Sequence, residues 1–183
     1  LSLHYANTGH QRPWFKALTV KLHGGYLSEG DTITIVFGDT SKGSYGMQMQ
    51  TFCESGFEFK VLADVCAVGH YCPLVETPNI AIVPGGVHEW KAVLPSLRRC
   101  SEIFRLGIKA EDKWGNPTDQ ASGSFRLQSN HLVEGLPEMI DYPLGEKFLI
   151  IDSLYVEKPG IVRIQLLDES GQCVSEAGPL FIH

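Results

Sequence analysis

Two groups of residues in this sequence are of types that bind metal ions. Cys66, His70 and Cys72 offer the thiolate and imidazole ligands that zinc prefers. One short segment offers the oxygen ligands that Ca²⁺ prefers, at Glu111, Asp112, Asn116 and Asp119. The first group has neither the spacing of a zinc knuckle nor a fourth ligand, and the second lacks the D-x-[DN]-x-[DN]-G spacing. The sequence therefore predicts no metal site and no cofactor, and it predicts that Asp112 and Asn116 form a turn.

Residue types that could catalyse a reaction are present, but they are scattered. The seven histidines form none of the patterns H-x-H, H-x-x-H or H-E-x-x-H. Ser44 and Ser124 follow glycines without matching the G-x-S-x-G turn of a serine nucleophile. The glycine-rich residues 38–46 lie between predicted strands, whereas a phosphate-binding loop opens a helix. We therefore predict that this chain contains no catalytic residues and is not itself an enzyme.

The tryptophans suggest an alternative function, which is the binding of a ligand. Trp14 and Trp114 lie at a predicted strand start and in a predicted turn, where an exposed indole ring could stack on a sugar. Trp90 alternates with apolar residues and is predicted to lie in the core. The candidate binding surface consists of Trp14, Trp114, Asp112 and Asn116, and carbohydrate is its candidate ligand.

Alternation of apolar and polar residues predicts strands along most of the chain. In residues 104–111 the apolar side chains fall on one face, and residues 112–117 then supply the Gly, Asn and Pro of a turn. The other predicted strands are residues 17–22, 32–37, 47–52, 57–62, 80–83, a strand at Trp90, 124–127, 147–151, 154–156, 160–167 and 174–182. Residues 130–142 are the one segment that could hold a helical turn.

These strands predict an all-β fold with two tandem immunoglobulin-like β-sandwich domains. Residues 84–86, Pro-Gly-Gly, interrupt the pattern, so the predicted domains are residues 1–84 and 85–183. About seven short strands in the second half are the number expected of an immunoglobulin-like sandwich. The turns at residues 157–160 and 168–171 are predicted to form a pair of hairpins.

Composition limits the classes of function. The chain has 183 residues, of which 43% are hydrophobic and 20% charged, and its formal net charge is -6 with both signs interspersed. This charge argues against nucleic acid and anionic membranes as partners, and no apolar run approaches the roughly 20 residues that cross a bilayer. Five scattered cysteines, an odd number, predict reduced and mostly buried thiols. With no visible signal peptide they favour the cytoplasm, although the compartment stays open.

Several blocks of the sequence resemble the N-terminal region of the bacterial domain-of-unknown-function family 3604. The blocks are GDTITIVFGD at 30–39, QTF at 50–52, FEFKVLAD at 57–64, IVPG at 82–85 and KAEDKWGNP at 109–117. They occur in the order found in that family and span most of residues 14–182. The resemblance implies a longer protein with a C-terminal portion similar to metal-dependent hydrolases of the polymerase-and-histidinol-phosphatase type. The Trp-Gly-Asp-Leu-His type motif of that portion does not occur here, so no metal-binding or catalytic residue carries over.

The sequence thus predicts an accessory module that flanks or orients a hydrolase-like domain of a larger bacterial protein. The chain starts without methionine, and it ends directly after an apolar run, so we expect it to be a piece of that protein. Leu180, Phe181 and Ile182 are three consecutive apolar residues, more than a half-exposed strand can bury. They are the candidate docking residues, and the expected partner is the downstream domain of the same polypeptide. An independent module that binds carbohydrate or another extended ligand is the alternative.

Overall fold

The structure is a computed structural model that describes residues 1–8 and 15–183. These residues contain strands, turns and loops but no α-helix, so the predicted all-β class is confirmed. None of the described residues belongs to a helix long and apolar enough to span a bilayer. In chain order the strands are β1 Ser2–Ala6, β2 Ala17–Lys21, β3 Glu54–Glu58, β4 Leu62–Ala63, β5 Cys72–Pro73, β6 Asn79–Ile82, β7 Glu89–Val93, β8 Leu97–Arg98, β9 Phe104–Glu111, β10 Gly123–Ser129, β11 Met139–Tyr142, β12 Leu149–Leu154, β13 Gly160–Leu167 and β14 Cys173–Ile182.

The described residues divide into two compact units. Unit 1 consists of Leu1–Met49 and Phe57–Ile80, and unit 2 consists of Gln50–Gly56 and Ala81–His183. The chain therefore enters unit 2, returns to unit 1 and enters unit 2 again. The domain boundary between residues 84 and 85 stays a prediction.

Unit 1 is built from short paired strands. Strand β1 pairs antiparallel with β2, and β4 pairs antiparallel with β5. A further two-stranded sheet joins β3 to β6, and both of these strands run across the division between the units. All described side chains of residues 1–80 are exposed or half-buried. The apolar side chains of unit 1 are therefore only partly shielded from solvent.

Unit 2 is sandwich-like, with two sheets that share one apolar core. The larger sheet has the strand order β11-β10-β13-β14-β8, and the smaller one has the order β12-β9-β7. The pairs in both sheets are antiparallel except β14 with β8, which are parallel. The core side chains come from both sheets and include Phe104, Leu106, Ile108, Phe125, Leu127, Val162, Ile164, Leu166, Leu180 and Ile182. Along β9 and β13 alternate residues face inward, which is the period the sequence displays.

Trp90 occupies the margin of this core, as the alternation in its strand predicts. Its ring centroid lies 4.6 Å from that of Phe125 and 5.0 Å from that of Tyr142, with both pairs in edge-to-face geometry. Edge-to-face packing of this kind is favourable beyond the area it buries. The core position predicted for Trp90 is confirmed in part, because its side chain is half-buried and packs against the buried cluster.

Strand prediction succeeds for the two long strands β9 and β13 of unit 2 and is wrong for two segments earlier in the chain. Residues 104–111 and 160–167 form β9 and β13 with the predicted bounds. Residues 32–37 and 47–52 form no strand. The strand predicted at 57–62 is observed a few residues earlier in the sequence, as β3. Alternation makes a strand only where a neighbouring strand supplies hydrogen bonds, and neither of the two unpaired segments has such a neighbour.

Three further expectations are corrected by the local structure. Residues 130–142 hold no helical turn and end in strand β11. The turn at residues 168–171 does make a hairpin between β13 and β14, whereas residues 157–160 carry the chain from the smaller sheet to the larger. The cysteines are not mostly buried, because Cys53, Cys66, Cys72 and Cys173 are exposed and Cys100 is half-buried. They lie in loops and at strand ends, and of the five only Cys100 packs against the core of unit 2.

Candidate functional site

The turn after β9 centres on the carboxylate of Asp112. Oδ1 accepts hydrogen bonds from the backbone N–H groups of Trp114 at 2.8 Å and Asn116 at 3.0 Å. Oδ2 accepts from the backbone N–H of Gly85 at 3.1 Å, and the Asn116 side chain donates to both oxygens. Asp112 is 3% exposed, so its charge is buried but well satisfied. We call residues 112–116 the Asp112 turn.

Asn116 extends this turn to a distant segment of unit 2. Its Nδ2 donates to the carbonyl oxygen of Thr51 at 2.7 Å, and its Oδ1 accepts from the backbone N–H of Cys53 at 3.1 Å. The amide thereby ties residues 50–56 to the end of β9. Both polar candidates, Asp112 and Asn116, have their hydrogen-bonding capacity used within the protein.

The environment of Asp112 decides its protonation state. Burial of the carboxylate would by itself raise its pKa, but the hydrogen bonds from the Asn116 side chain and from backbone N–H groups outweigh burial. The pKa of Asp112 is therefore well below its ordinary value. An ionised carboxylate held by N–H donors can stabilise a turn, and it offers little to an incoming ligand.

Trp114 projects from the Asp112 turn with 52% of its surface exposed. The ammonium of Lys113 lies 5.0 Å from the centroid of its ring, a cation–π arrangement. A flat ligand could therefore stack only on the part of the ring that Lys113 leaves open. Trp14, the other aromatic candidate, lies outside the described residues.

The three docking candidates at the end of β14 separate into two classes. Leu180 and Ile182 point into the core and are 0% and 5% exposed. Phe181 points outward and is 47% exposed. The run of three apolar residues is thus explained mostly by the alternation of a strand, with one side chain left on the surface.

Phe181 belongs to an apolar row that crosses three strands of the larger sheet. Its backbone partner in β13 is Ile161, and its partner in β8 is Leu97. Directly paired residues point to the same side of a sheet, and Ile161 and Leu97 are 47% and 53% exposed. We call these three residues the Phe181 row. Ile161 and Leu97 escaped the sequence analysis because their alignment with Phe181 depends on strand pairing, and the outward position of Ile161 in its alternating strand was the available signal.

The structure gives little support to the two metal sites that were considered from the sequence. Cys66 and Cys72 are exposed, and so is His70. In residues 1–8 and 15–183, no group of three or more His, Cys, Asp or Glu side chains is arranged to hold a metal ion. In particular, the carboxylate of Asp112 faces N–H donors from three backbone positions.

Comparison with known proteins identifies bacterial relatives without an assigned activity. Uncharacterized proteins of Chlamydia muridarum and Chlamydia trachomatis are 26% and 28% identical to this chain over 163 residues. An uncharacterized protein of Chlamydia pneumoniae is also 28% identical over 163 residues. Each match covers 84% of this chain, which spans about a quarter of the length of these relatives. No family model matches the chain.

Proposed function

We propose that this chain is a non-catalytic accessory module of a longer bacterial protein, and that it packs on a neighbouring domain of the same polypeptide through the Phe181 row. The proposed fold of the module is a tandem pair of immunoglobulin-like sandwiches. By the resemblance to the domain-of-unknown-function family, the proposed neighbour is a metal-dependent, hydrolase-like domain. The module would orient that domain and contribute no residue to its chemistry.

The Phe181 row is the observation that carries this proposal. Three apolar side chains, each about half exposed, adjoin one another on neighbouring strands. Contiguous apolar surface on a soluble domain commonly marks a contact with another protein surface. The relatives also contain about three times as much polypeptide outside the matched region as within it, which supplies a candidate partner.

The test compares this module alone with the longer protein. We expect the unfolding of the module to move to higher temperature when the downstream portion is present, and Phe181→Ser to remove that increase. In the isolated module Phe181→Ser should lower stability by only about 1 kcal/mol, because half of the side chain is already exposed. Leu132→Ser is the matched control, since Leu132 is exposed in a loop. Equal unfolding temperatures with and without the downstream portion would contradict the proposal.

Carbohydrate binding remains the second candidate, and the exposed ring of Trp114 is the observation that favours it. An indole on a rigid turn is a suitable platform for the apolar face of a sugar. The test is a glycan array followed by calorimetry with the wild-type chain and Trp114→Ala. Saturable binding that disappears in Trp114→Ala while the fold is kept would favour this function over the docking module.

A further inference from the structure

A polar cleft lies beside the Phe181 row on the outward face of the larger sheet. Gln128 in β10, Gln165 in β13 and Glu176 in β14 are consecutive backbone partners, so their side chains share one face. Arg163 points to the same face of β13, between Gln165 and Ile161 of the row, because alternate residues of a strand point to one side. The cleft has a volume of about 190 Å³. It is lined by Gln128, Ser129, Asn130, Arg163, Gln165 and Glu176, and we call it the Gln128 cleft.

The charged side chains of the cleft are paired with each other. Arg163 Nη1 donates to Oε1 of Glu176 at 2.8 Å, and Gln165 Nε2 donates to Oε2 at 3.1 Å. The hydrogen bonds from Gln165 and Arg163 lower the pKa of Glu176, so its carboxylate is ionised at neutral pH and pairs with the guanidinium. A charged group that entered the cleft would therefore meet both signs, one attractive and one repulsive.

The side chain and N–H of Asn130 hold the cleft and the Phe181 row together. Its Oδ1 accepts a hydrogen bond from the backbone N–H of Arg163 at 2.7 Å, and its Nδ2 donates to the carbonyl oxygen of Ile161 at 2.9 Å. The N–H of Asn130 also donates to the carbonyl oxygen of Arg163 at 3.2 Å. Because Ile161 belongs to the row and Arg163 lines the cleft, a protein surface that covers the row has the cleft at its margin.

Gln128 has hydrogen-bonding groups that the fold does not use. The residue is exposed, and its side chain makes no hydrogen bond to any described residue. An amide of this kind can donate from its NH₂ group and accept at its oxygen. Protein interfaces combine an apolar centre with a polar margin that supplies hydrogen bonds, and the row and the cleft have this arrangement.

We infer that the Gln128 cleft is the polar margin of the contact made through the Phe181 row, and that the neighbouring domain places an uncharged hydrogen-bonding group on Gln128. The inference rests on the proposed packing of that domain on the row. An amide side chain or an exposed peptide group fits best, because it donates and accepts as Gln128 does. The Arg163–Glu176 pair selects against a charged group, since neither sign gains a net attraction there.

Gln128→Ala provides the decisive variant. In the isolated module it should leave the unfolding temperature unchanged, because the side chain has no partner among the described residues. In the longer protein it should lower the unfolding temperature of the module by about 2–4 °C, the effect of losing hydrogen bonds to the neighbouring domain. Gln172→Ala is the matched control. Gln172 is also exposed and without a side-chain hydrogen bond in the described residues, but it lies in the turn at the end of β13, outside the cleft.

A charge at the same position tests the chemistry of the partner. Gln128→Glu and Gln128→Lys should each lower the unfolding temperature of the longer protein at least as much as Gln128→Ala, because an uncharged partner compensates neither charge. A higher unfolding temperature in either variant would overturn the inference by showing that the partner group carries the opposite charge.

Two further outcomes would overturn the inference, and they differ from failure of the docking proposal itself. The first is a longer protein that is destabilised by Phe181→Ser and unaffected by Gln128→Ala, which would confine the contact to the row. The second is a Gln128→Ala variant that destabilises the isolated module as much as the longer protein, which would make Gln128 a residue of the fold. A longer protein whose module unfolds at the same temperature as the isolated module would instead contradict the docking proposal, and this inference with it.

Discussion

Two turns of this protein have the same backbone hydrogen bonds but different surroundings. The Asp112 turn has the sequence Asp-Lys-Trp-Gly-Asn, and residues 168–172 have Asp-Glu-Ser-Gly-Gln. In each, the aspartate N–H donates to the carbonyl oxygen four residues on, and its Oδ1 accepts from the N–H groups two and four residues on. Each follows the last residues of a long strand. The pattern is local, and it follows from the aspartate and glycine positions alone.

The turns differ in the additional hydrogen bonds that their aspartates make. Asp168 accepts, in addition, the hydroxyl of Ser170 at 2.6 Å, so all its partners belong to its own hairpin. Asp112 also accepts from Gly85, and through Asn116 it connects to Thr51 and Cys53. The same five-residue pattern therefore ends one hairpin in the first case and joins three separate segments of unit 2 in the second.

The largest effect is expected from removing each aspartate in turn. Asp112→Ala leaves the N–H groups of Gly85, Trp114 and Asn116 without their acceptor in a partly buried place, and donors left unsatisfied there are costly. Asp168→Ala leaves donors that water can reach. We expect Asp112→Ala to lower the midpoint of urea unfolding by several times as much as Asp168→Ala. Similar changes in the two variants would show that both turns act only locally.

The fifth residue of each turn offers a second matched pair. Asn116→Ala removes side-chain hydrogen bonds to Thr51, Cys53 and Asp112. We expect this substitution to lower the free energy of unfolding by about 2 kcal/mol. In the described residues Gln172 contributes its backbone N–H and makes no side-chain hydrogen bond, so Gln172→Ala should change stability by less than about 0.5 kcal/mol. Hydrogen exchange adds a local measurement, since residues 50–56 should exchange faster in Asn116→Ala only.

Acid should weaken both turns, and Asp112 more than Asp168. Burial opposes the charge of Asp112, yet hydrogen bonds lower its pKa, and the Ser170 side chain is the main cause of the lowered pKa of Asp168. A carboxyl whose pKa is lower in the folded state stabilises the fold above its unfolded-state pKa, about 3.9 for Asp, and loses that contribution as the pH falls through the folded-state pKa. We expect unfolding free energy to decrease below about pH 4 and to decrease less steeply in Asp112→Asn. A slope unchanged by Asp112→Asn would assign the acid sensitivity to other carboxyls.

The turns also show how far the sequence alone could predict this molecule. Residues 112–117 were identifiable as a turn because the pattern of Asp, Gly, Asn and Pro acts within a few residues. The contacts of Asn116 with Thr51 and Cys53 join positions 63 and 65 residues apart, and no local pattern encodes them. The alternation at residues 32–37 is as regular as that at 104–111, yet only the second acquires a pairing partner. The Phe181 row requires strand order and register, so it too depends on the three-dimensional structure.

The smallest effect is expected from exchanging the third residue of the turns. In both turns this residue uses its backbone N–H, at 2.8 Å for Trp114 and 2.9 Å for Ser170, and the serine hydroxyl adds a bond to the aspartate. Trp114→Ser should therefore keep the Asp112 turn and change stability by less than about 0.5 kcal/mol, because the indole is half exposed. Thermal unfolding of Trp114→Ser beside wild type measures this directly. A loss of stability as large as that of Asn116→Ala would mean that the ring supports the fold. An unchanged stability would mean that the Trp114 ring contributes nothing measurable to the fold, which would leave its exposed face available for the proposed ligand binding.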